Sequence, residues 1–432
     1  MKIAHVMRRL SFDDWGGTEQ VVWNLAKAQK AAGHDVRIFA TTALCATPHE
    51  VVEGLEIFRY RPIYPWWPMP KRIVAELDRK GGNPFVPGLG KALREWRPDV
   101  IHCHAMARIA ELCLRTAQTL NANPPTRQPA NPPTHQLTTH QLTNSPTRCV
   151  ISLHGGGANI PDVEAKSLKA PTRGRLPWGK MIDYALGWTR HIPEDADGIV
   201  CVGEDEYERY RVRHPHVLFL PNGVDTSLYE NAKCKMENVK CESGGDSILH
   251  SPFSILCVAR IDRQKNQMAL VEALARHPDV TLRLVGPVTQ PDYLGELKAR
   301  AEALGVSGRV AFVGALGPGS PELLAEYARA DAFALASRHE PFGIVVLEAW
   351  AAGLPVVASD VGGLGRLCAA HPDAAITFAQ GNPGSLDRAI DELCRRIMSG
   401  EAAAMSAAGR RAAAEYDWMN LSARLLVFYA GL

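Results

Sequence analysis

The sequence predicts an α/β fold in which one doubly wound pattern is completed and then begun again, giving two Rossmann-like domains facing each other across a cleft. Three observations predict it. Short β-branched runs alternate with amphipathic stretches, the signature of parallel strands joined by crossover helices. The alternation restarts past Pro221-Asn222-Gly223-Val224-Asp225. A chain of 432 residues is too long for one compact core and suits two α/β domains.

In the first half the strand-like runs are Lys2–Met7, Val36–Ala40, Ile57–Tyr60, Val100–His104, Cys149–His154, Ile199–Val202 and Val217–Leu220. Between the first two, Thr18–Ala32 places Val21, Val22, Leu25 and Ala28 on one helical face, and Gly33 follows as its cap. The second set is Ile255–Val258, Leu282–Val285, Val310–Val313, Phe333–Leu335, Val356–Ala358 and Ala375–Phe378. Helical stretches such as Asn266–Arg276 and Tyr293–Leu304 separate them. The expected domains are therefore residues 1–221 and 222–412, followed by a terminal helix in 413–432. Its amphipathic part, Trp418–Tyr429, carries Leu421, Leu425, Leu426 and Phe428.

Two tracts fit neither sheet. Asn121 to Arg148 is rich in Pro, Thr, Asn and Gln and repeats Asn-Pro-Pro-Thr and Thr-His-Gln-Leu-Thr. So few apolar groups cannot offset the entropy of ordering, and a disordered surface insertion is expected there. Asn231 to Pro252 reads as a second polar insertion. Neither is expected to carry chemistry, although His135 with His140, and Cys234 with Cys241, are spaced as metal ligands could be.

Composition narrows the function. Hydrophobic residues make up 46% and charged residues 22%, an ordinary globular balance. Basic side chains number 48 against 46 acidic, a formal charge of +2, which gives no support to nucleic-acid binding. No run of about 18 apolar residues occurs and the N-terminus lacks a leader pattern, so a cytoplasmic protein is expected. The ten cysteines are scattered without a CxxC, as reduced thiols in such a protein would be.

The chemistry gathers in two loops of the second half. Glu340-Pro341-Phe342-Gly343-Ile344-Val345-Val346-Leu347-Glu348-Ala349 follows the apolar run Ala332–Ala336. Pro341 and Gly343 suit a tight strand-to-helix turn, with Ile344–Ala352 as the helix. The backbone N–H groups of Gly343 and Ile344 would then face the crevice where a diphosphate binds. Glu348 stands a turn or so further along, so two carboxylates can meet different parts of one extended ligand. A capped helix with a solvated glutamate would read the same way in isolation. Arg260-Ile261-Asp262-Arg263-Gln264-Lys265-Asn266 directly follows the strand Ile255–Val258. It places Arg260 and Lys265 where they can neutralise a pyrophosphate and stabilise it as it leaves.

The first half offers weaker signals. Asp14-Trp15-Gly16-Gly17-Thr18-Glu19 lies between a strand and a helix, and paired glycines let backbone approach a ligand closely. His154-Gly155-Gly156-Gly157 ends the strand Cys149–Leu153 and projects an imidazole at the same sheet edge. His102 and His104 alternate on one strand and share a face, for packing or for the acceptor side.

Together these residues resemble the retaining glycosyltransferases of family 4, which have the GT-B fold and include glycogen synthases and mannosyltransferases. The matching landmarks are Gly16-Gly17-Thr18-Glu19, Asp99-Val100-Ile101-His102-Cys103-His104, Leu153-His154-Gly155, Pro221-Asn222-Gly223-Val224-Asp225, Arg260 with Lys265, and the Glu340/Glu348 pair. The resemblance implies a hexose transferred from a nucleotide-diphosphate sugar, with the second domain holding the nucleotide sugar and the first the acceptor. Glu340 and His154 would contact the transferred sugar and Glu348 the ribose. Arg260 and Lys265 would hold the diphosphate, helped by amides near Gly16, Gly17 and Gly343, with Phe342 and Ile344 completing the donor set. The leaving phosphate would accept the acceptor proton. Cationic side chains and helix dipoles would take the place of a metal, so the resemblance implies no metal and no cofactor. The last helix would cross back to the first domain. One departure stands out: after Asp360-Val361-Gly362-Gly363 the family commonly has a glutamate where this chain has Arg366.

For the acceptor, a glycan, a lipid-linked sugar or a small molecule all remain, with cell-envelope polysaccharide synthesis as the setting the family implies. Tyr64-Pro65-Trp66-Trp67-Pro68-Met69-Pro70-Lys71-Arg72 and Arg173-Gly174-Arg175-Leu176-Pro177-Trp178-Gly179-Lys180 join tryptophan to basic residues. They suit peripheral contact with an anionic membrane at its inner face, and equally packing or a soluble acceptor pocket. The rival functions are a sugar-nucleotide epimerase, a phosphorylase on the same fold, and a non-catalytic nucleotide-sugar-binding protein.

Overall fold

A computed structural model of the chain describes residues 1–12, 16–64, 70–80, 82–122, 146–154, 178–186, 188, 192–230 and 253–432. Asp14, Trp15, the Trp66-Trp67 loop, the glycines after His154, residues 173–177, and the pairs His135/His140 and Cys234/Cys241 lie outside them. The chain forms two compact units, Met1–Pro221 with Ser422–Leu432, and Asn222–Leu421.

The first unit is built on an eight-stranded sheet in the order β3-β4-β2-β1-β5-β6-β7-β8. Its strands are β1 (Lys2–Arg9), β2 (Asp35–Thr41), β3 (His49–Val52), β4 (Leu55–Tyr60), β5 (Val100–Cys103), β6 (Arg148–Leu153), β7 (Gly198–Cys201) and β8 (Val217–Phe219). All neighbours pair in parallel except β3 and β4. Sequence reading missed β3, a half-exposed edge strand whose side chains give no apolar run. Its signal was the turn Glu53-Gly54, where φ values of 47° and 77° suit the two-residue hairpin that favours glycine. The other strands fall on the expected runs because a parallel sheet covered on both faces selects continuous Val, Ile and Leu.

The expected insertion begins and ends inside ordered structure. The helix Arg108–Ala122 contains Asn121, and β6 starts at Arg148. Asn121 Nδ2 donates to the Thr147 carbonyl at 3.1 Å, and Thr147 N donates to Asn121 Oδ1 at 2.7 Å. The boundaries 121 and 148 are thus corrected inward, because this reciprocal pair makes the flanking residues part of the unit.

The second unit has a six-stranded, all-parallel sheet in the order β11-β10-β9-β12-β13-β14. The strands are β9 (Phe253–Val258), β10 (Val280–Val285), β11 (Val310–Gly314), β12 (Ala332–Leu335), β13 (Val356–Ser359) and β14 (Ala375–Phe378). Their alternate residues feed two cores. Leu256, Phe333, Leu335 and Val356 pack with Leu347 and Trp350 on one face. Ile255, Cys257, Ala334 and Val357 pack with Leu270 and Leu297 on the other. The strand order reverses between β9 and β12, and again between β1 and β5 in the first unit. A reversal of this kind leaves a crevice at the carboxyl ends of the two central strands, where open α/β sheets bind ligands.

The last helix, Trp418–Ala430, is shared between the units: Leu421 ends the second, and Ser422–Leu432 packs with the first. The segment expected as one crossing element from 413 is therefore divided. Arg424 donates to the Phe219 carbonyl at 2.9 Å. Among the described residues no helix is long and apolar enough to cross a membrane.

Candidate functional site

In the second unit the β9 and β12 loops meet at the sheet's reversal point. Asp262, buried just beyond β9, accepts the backbone N–H groups of Gln264 at 2.9 Å and Lys265 at 3.1 Å through Oδ1. Its Oδ2 pairs with Arg260 Nη2 at 3.3 Å. The loop is thereby folded over its own carboxylate, with Arg260 left largely exposed. Arg338 N donates to the Gln264 carbonyl at 2.7 Å and ties the two loops together.

That tie brings Lys265 onto Glu340. Lys265 Nζ donates to Glu340 Oε2 at 2.6 Å, both side chains being mostly withdrawn from solvent. Ser337 Oγ donates to the same oxygen at 3.2 Å. An ammonium has three protons, so Lys265 keeps donor capacity beyond this pair. Among the described residues both of these hydrogen bonds go to Glu340 Oε2 and none is made to Oε1.

The turn holding Glu340 is pinned from behind. Gly343 sits at φ 92° as the cap of the helix Ile344–Ala351. Gly362 sits at φ 53°, and a Cβ there would lie 2.8 Å from the Glu340 carbonyl oxygen. At Gly363 a Cβ would fall 1.8 Å from the Pro341 carbonyl oxygen. Only glycine lets the two backbones approach this closely. The Gly363 N–H then reaches the Glu340 carbonyl at 3.0 Å. Phe342 stands edge-on to Tyr416, ring centroids 6.0 Å apart. Arg366, on the helix Gly362–Ala370, is exposed.

Glu348 lies deeper than sequence spacing indicated. It is buried, and Tyr327 donates to its Oε2 at 2.6 Å. Burial raises its pKa, opposed in part by hydrogen bonds from Tyr327 and Tyr229. Sequence reading singled out neither tyrosine. Both sit among apolar neighbours and look like core until the buried carboxylate is seen between them.

The first unit has its own reversal point, between β1 and β5. A cavity of about 390 Å³ opens there, lined among others by Met7, Arg8, Arg9, Glu19, Asn83 and His104. Arg9 pairs with Glu19 at 3.2 Å. Arg8 donates to the Asp78 carbonyl at 2.7 Å, and burial lowers its pKa. Gly16 caps the helix Gly17–Ala31, and a Cβ there would press on the Glu19 carboxylate at 2.7 Å.

Beneath the cavity four histidines cluster. His5 and His102 are register partners on β1 and β5, so their rings share a face of the sheet. His104 Nδ1 is 3.1 Å from His154 Nε2, and His104 Nε2 is 2.9 Å from His5 Nδ1. His5 Nε2 is 2.7 Å from Gln29 Oε1, and the Gln29 side chain also reaches the Tyr429 hydroxyl. His102 makes a separate row, to the Tyr429 hydroxyl at 2.5 Å and to Ser152 Oγ at 2.7 Å. Burial lowers the pKa of His5 and of His154 to about 4, and holds His102 and His104 well below the usual imidazole range. His5, His102 and His104 do bring ring nitrogens within 4.8 Å of one another, a grouping that could hold a metal ion. Their lone pairs are already taken by hydrogen bonds, and among the described residues no carboxylate pairs with them to balance an ion's charge.

Two Rossmann-like units, each with polar side chains at its reversal point, define the GT-B class of nucleotide-sugar enzymes. The model of the glycosyl transferases group 1 matches residues 247–411, and that of glycosyltransferase family 4 matches residues 15–129. A glycogen synthase of Mycobacterium tuberculosis is 26% identical over 427 residues, covering 94% of this chain and 89% of that protein. The GDP-mannose-dependent alpha-(1-6)-phosphatidylinositol monomannoside mannosyltransferase of the same species is 30% identical over 283 residues, 62% of this chain and 70% of that one. Among solved structures, sucrose-phosphate synthase of Thermosynechococcus elongatus superposes with a TM-score of 0.63 at 20% identity, over 100% of this chain and 98% of that one. The chain belongs to glycosyltransferase family 4, and its activity is nucleotide-sugar-dependent glycosyl transfer.

Proposed function

We propose that the protein is a retaining, metal-independent hexosyltransferase, which moves a sugar from a nucleotide diphosphate to a glycan, lipid-linked or small-molecule acceptor. The observation that carries this reading is the Lys265–Glu340 contact at the second unit's reversal point, with Arg260 on the same loop. A cation that holds the leaving diphosphate and a carboxylate that holds the sugar need to stand side by side when the bond between them breaks. Lys265 and Arg260 neutralise the diphosphate, and the Gly343 and Ile344 amides at the helix start add donors. Glu340 orients the sugar, and Glu348, steadied by two phenols, takes the ribose hydroxyls. Phe342 packs at the edge of the donor. Gly16 and Gly17 supply amides to the diphosphate, and His154 hydrogen-bonds the sugar. The leaving phosphate takes the acceptor proton, so no separate base is needed.

The acceptor is assigned to the cavity between β1 and β5, whose arginines suit hydroxyl-rich or anionic groups. The mannosyltransferase relative is named for a phosphatidylinositol mannoside acceptor, which favours a lipid-linked substrate and work at a membrane surface. The test is a thermal-shift screen of UDP-, GDP- and ADP-sugars, followed by donor turnover with and without chelator. One donor should stabilise the protein and be consumed at an unchanged rate in chelator. Loss of turnover in chelator would end the metal-independent reading, and stabilisation without any turnover would leave a binding protein.

A further inference from the structure

His154 is the outer end of a row of imidazoles that begins in the core at Gln29. The hydrogen bonds of that row have a direction. A carbonyl oxygen has no proton to give, so His5 Nε2, 2.7 Å from Gln29 Oε1, must be the donor. A neutral imidazole carries one proton, which leaves His5 Nδ1 as an acceptor. Its hydrogen-bond partner among the described residues is His104, whose Nε2, 2.9 Å away, must therefore be protonated. His104 Nδ1 is then bare and receives the proton of His154 Nε2 at 3.1 Å. The final nitrogen, His154 Nδ1, is left with a lone pair and no partner among the described residues. Neutrality is enforced by the setting: His5 is fully buried, His104 nearly so, and among the described residues no carboxylate bonds to the row. A second proton at His5 Nδ1 or His104 Nδ1 would bring two N–H groups into opposition, and at His154 Nδ1 burial opposes the charge.

We propose that Gln29, His5 and His104 are positioning residues that lock His154 in the Nε2–H tautomer, so that it meets the sugar as a hydrogen-bond acceptor at Nδ1. The functional half rests on the reading of His154 as a sugar contact; the tautomer does not. An acceptor of fixed polarity selects a hydroxyl at one position of the sugar and discriminates against a donor lacking it, because the lone pair is then left unmatched.

The tautomer is read directly in the wild-type protein by long-range proton–nitrogen spectra of histidine labelled with nitrogen-15, the His154 signals being those lost in His154→Ala. The expected result at neutral pH is a protonated Nε2 and a bare Nδ1. A proton on Nδ1, which the reversed Gln29 amide would produce, overturns the proposal, as does an averaged mixture. Gln29→Met removes the anchor at nearly constant volume and should mix the two tautomers. With UDP-glucose or GDP-mannose, whichever is turned over, kcat/KM should fall about threefold to tenfold. It should be unchanged for the one monodeoxy analogue that lacks the selected hydroxyl. His104→Asn, whose side-chain oxygen can replace the His104 Nδ1 acceptor, should restore the His154 tautomer and the discrimination. A uniform loss for all donors with the tautomer unaltered would make the row merely structural. Unaltered kinetics in His154→Ala would refute the sugar contact while leaving the tautomer spectrum to judge the row.

Discussion

Lys265 and Glu348 show how differently two charged side chains serve one site. Lys265 already gives one proton to Glu340 and has two more for a diphosphate. Lys265→Ala should therefore cost donor affinity about 1.5–3 kcal/mol, on the order of tenfold to a hundredfold, with turnover falling as well. Calorimetric titration with the active nucleotide sugar checks this, and unchanged affinity would place the diphosphate elsewhere. Glu348 is instead a destabilising element of the free protein, since burial raises its pKa. The sign follows from linkage. Its folded value exceeds the ordinary 4.5, so the folded state holds the proton more tightly, and stability is lost as pH rises from 4.5 through the folded value. Glu348→Gln should raise the second unit's unfolding temperature at pH 7 and weaken donor binding, a trade of function for stability. A variant that is both less stable and fully active would contradict this. That the Arg260–Lys265 loop and the Glu340 turn both lie at strand ends was legible from the sequence, whereas the direct Lys265–Glu340 contact was not. The burial of Glu348 was not, since its partners Tyr229 and Tyr327 come from distant segments.

The turn from Glu340 to Ile344 is held by an element the sequence did not connect to it. The helix Gly362–Ala370 starts against the Glu340 and Pro341 carbonyls, and its first two residues must lack a Cβ to do so. Gly363→Ala should displace the turn, because the atom in the way is backbone and has no rotamer to escape into. The expected outcome is a fall in donor affinity exceeding the loss of stability, read by titration alongside thermal unfolding. Normal binding in a stable Gly363→Ala protein would show that the turn tolerates the shift. The sequence displayed Gly362-Gly363 plainly, yet a glycine pair signals only that something comes near, never what. Likewise β3 was hidden because an edge strand needs no apolar alternation, and its turn residues were the only mark of it.

At the scale of the whole chain the two units should respond to acid in opposite ways. Burial keeps His5 and His154 neutral down to about pH 4, whereas the unfolded side chain protonates near 6.5. Between those values the unfolded chain binds more protons, so this contribution to the first unit's stability is complete above about pH 6.5 and is lost as pH falls toward 4. Glu348 acts with the other sign in the second unit. Hydrogen exchange at pH 7 and pH 5, corrected for intrinsic rates, should show β1 and β5 losing protection while β9 and β12 lose less. Equal losses in both units would count against the buried neutral histidines.

The sequence by itself determined the repeated α/β pattern, the place where it restarts, and the residues that lie at the carboxyl ends of strands. These are local properties: strand periodicity, turn chemistry and order along the chain. Tertiary structure alone decided which of those residues touch, that Glu348 is sheltered by two tyrosines, and that His154 ends a polar row starting at Gln29. The reason is physical. A hydrogen bond's partner and direction depend on groups brought together from far apart in sequence, and no pattern within one segment records the environment that another segment supplies.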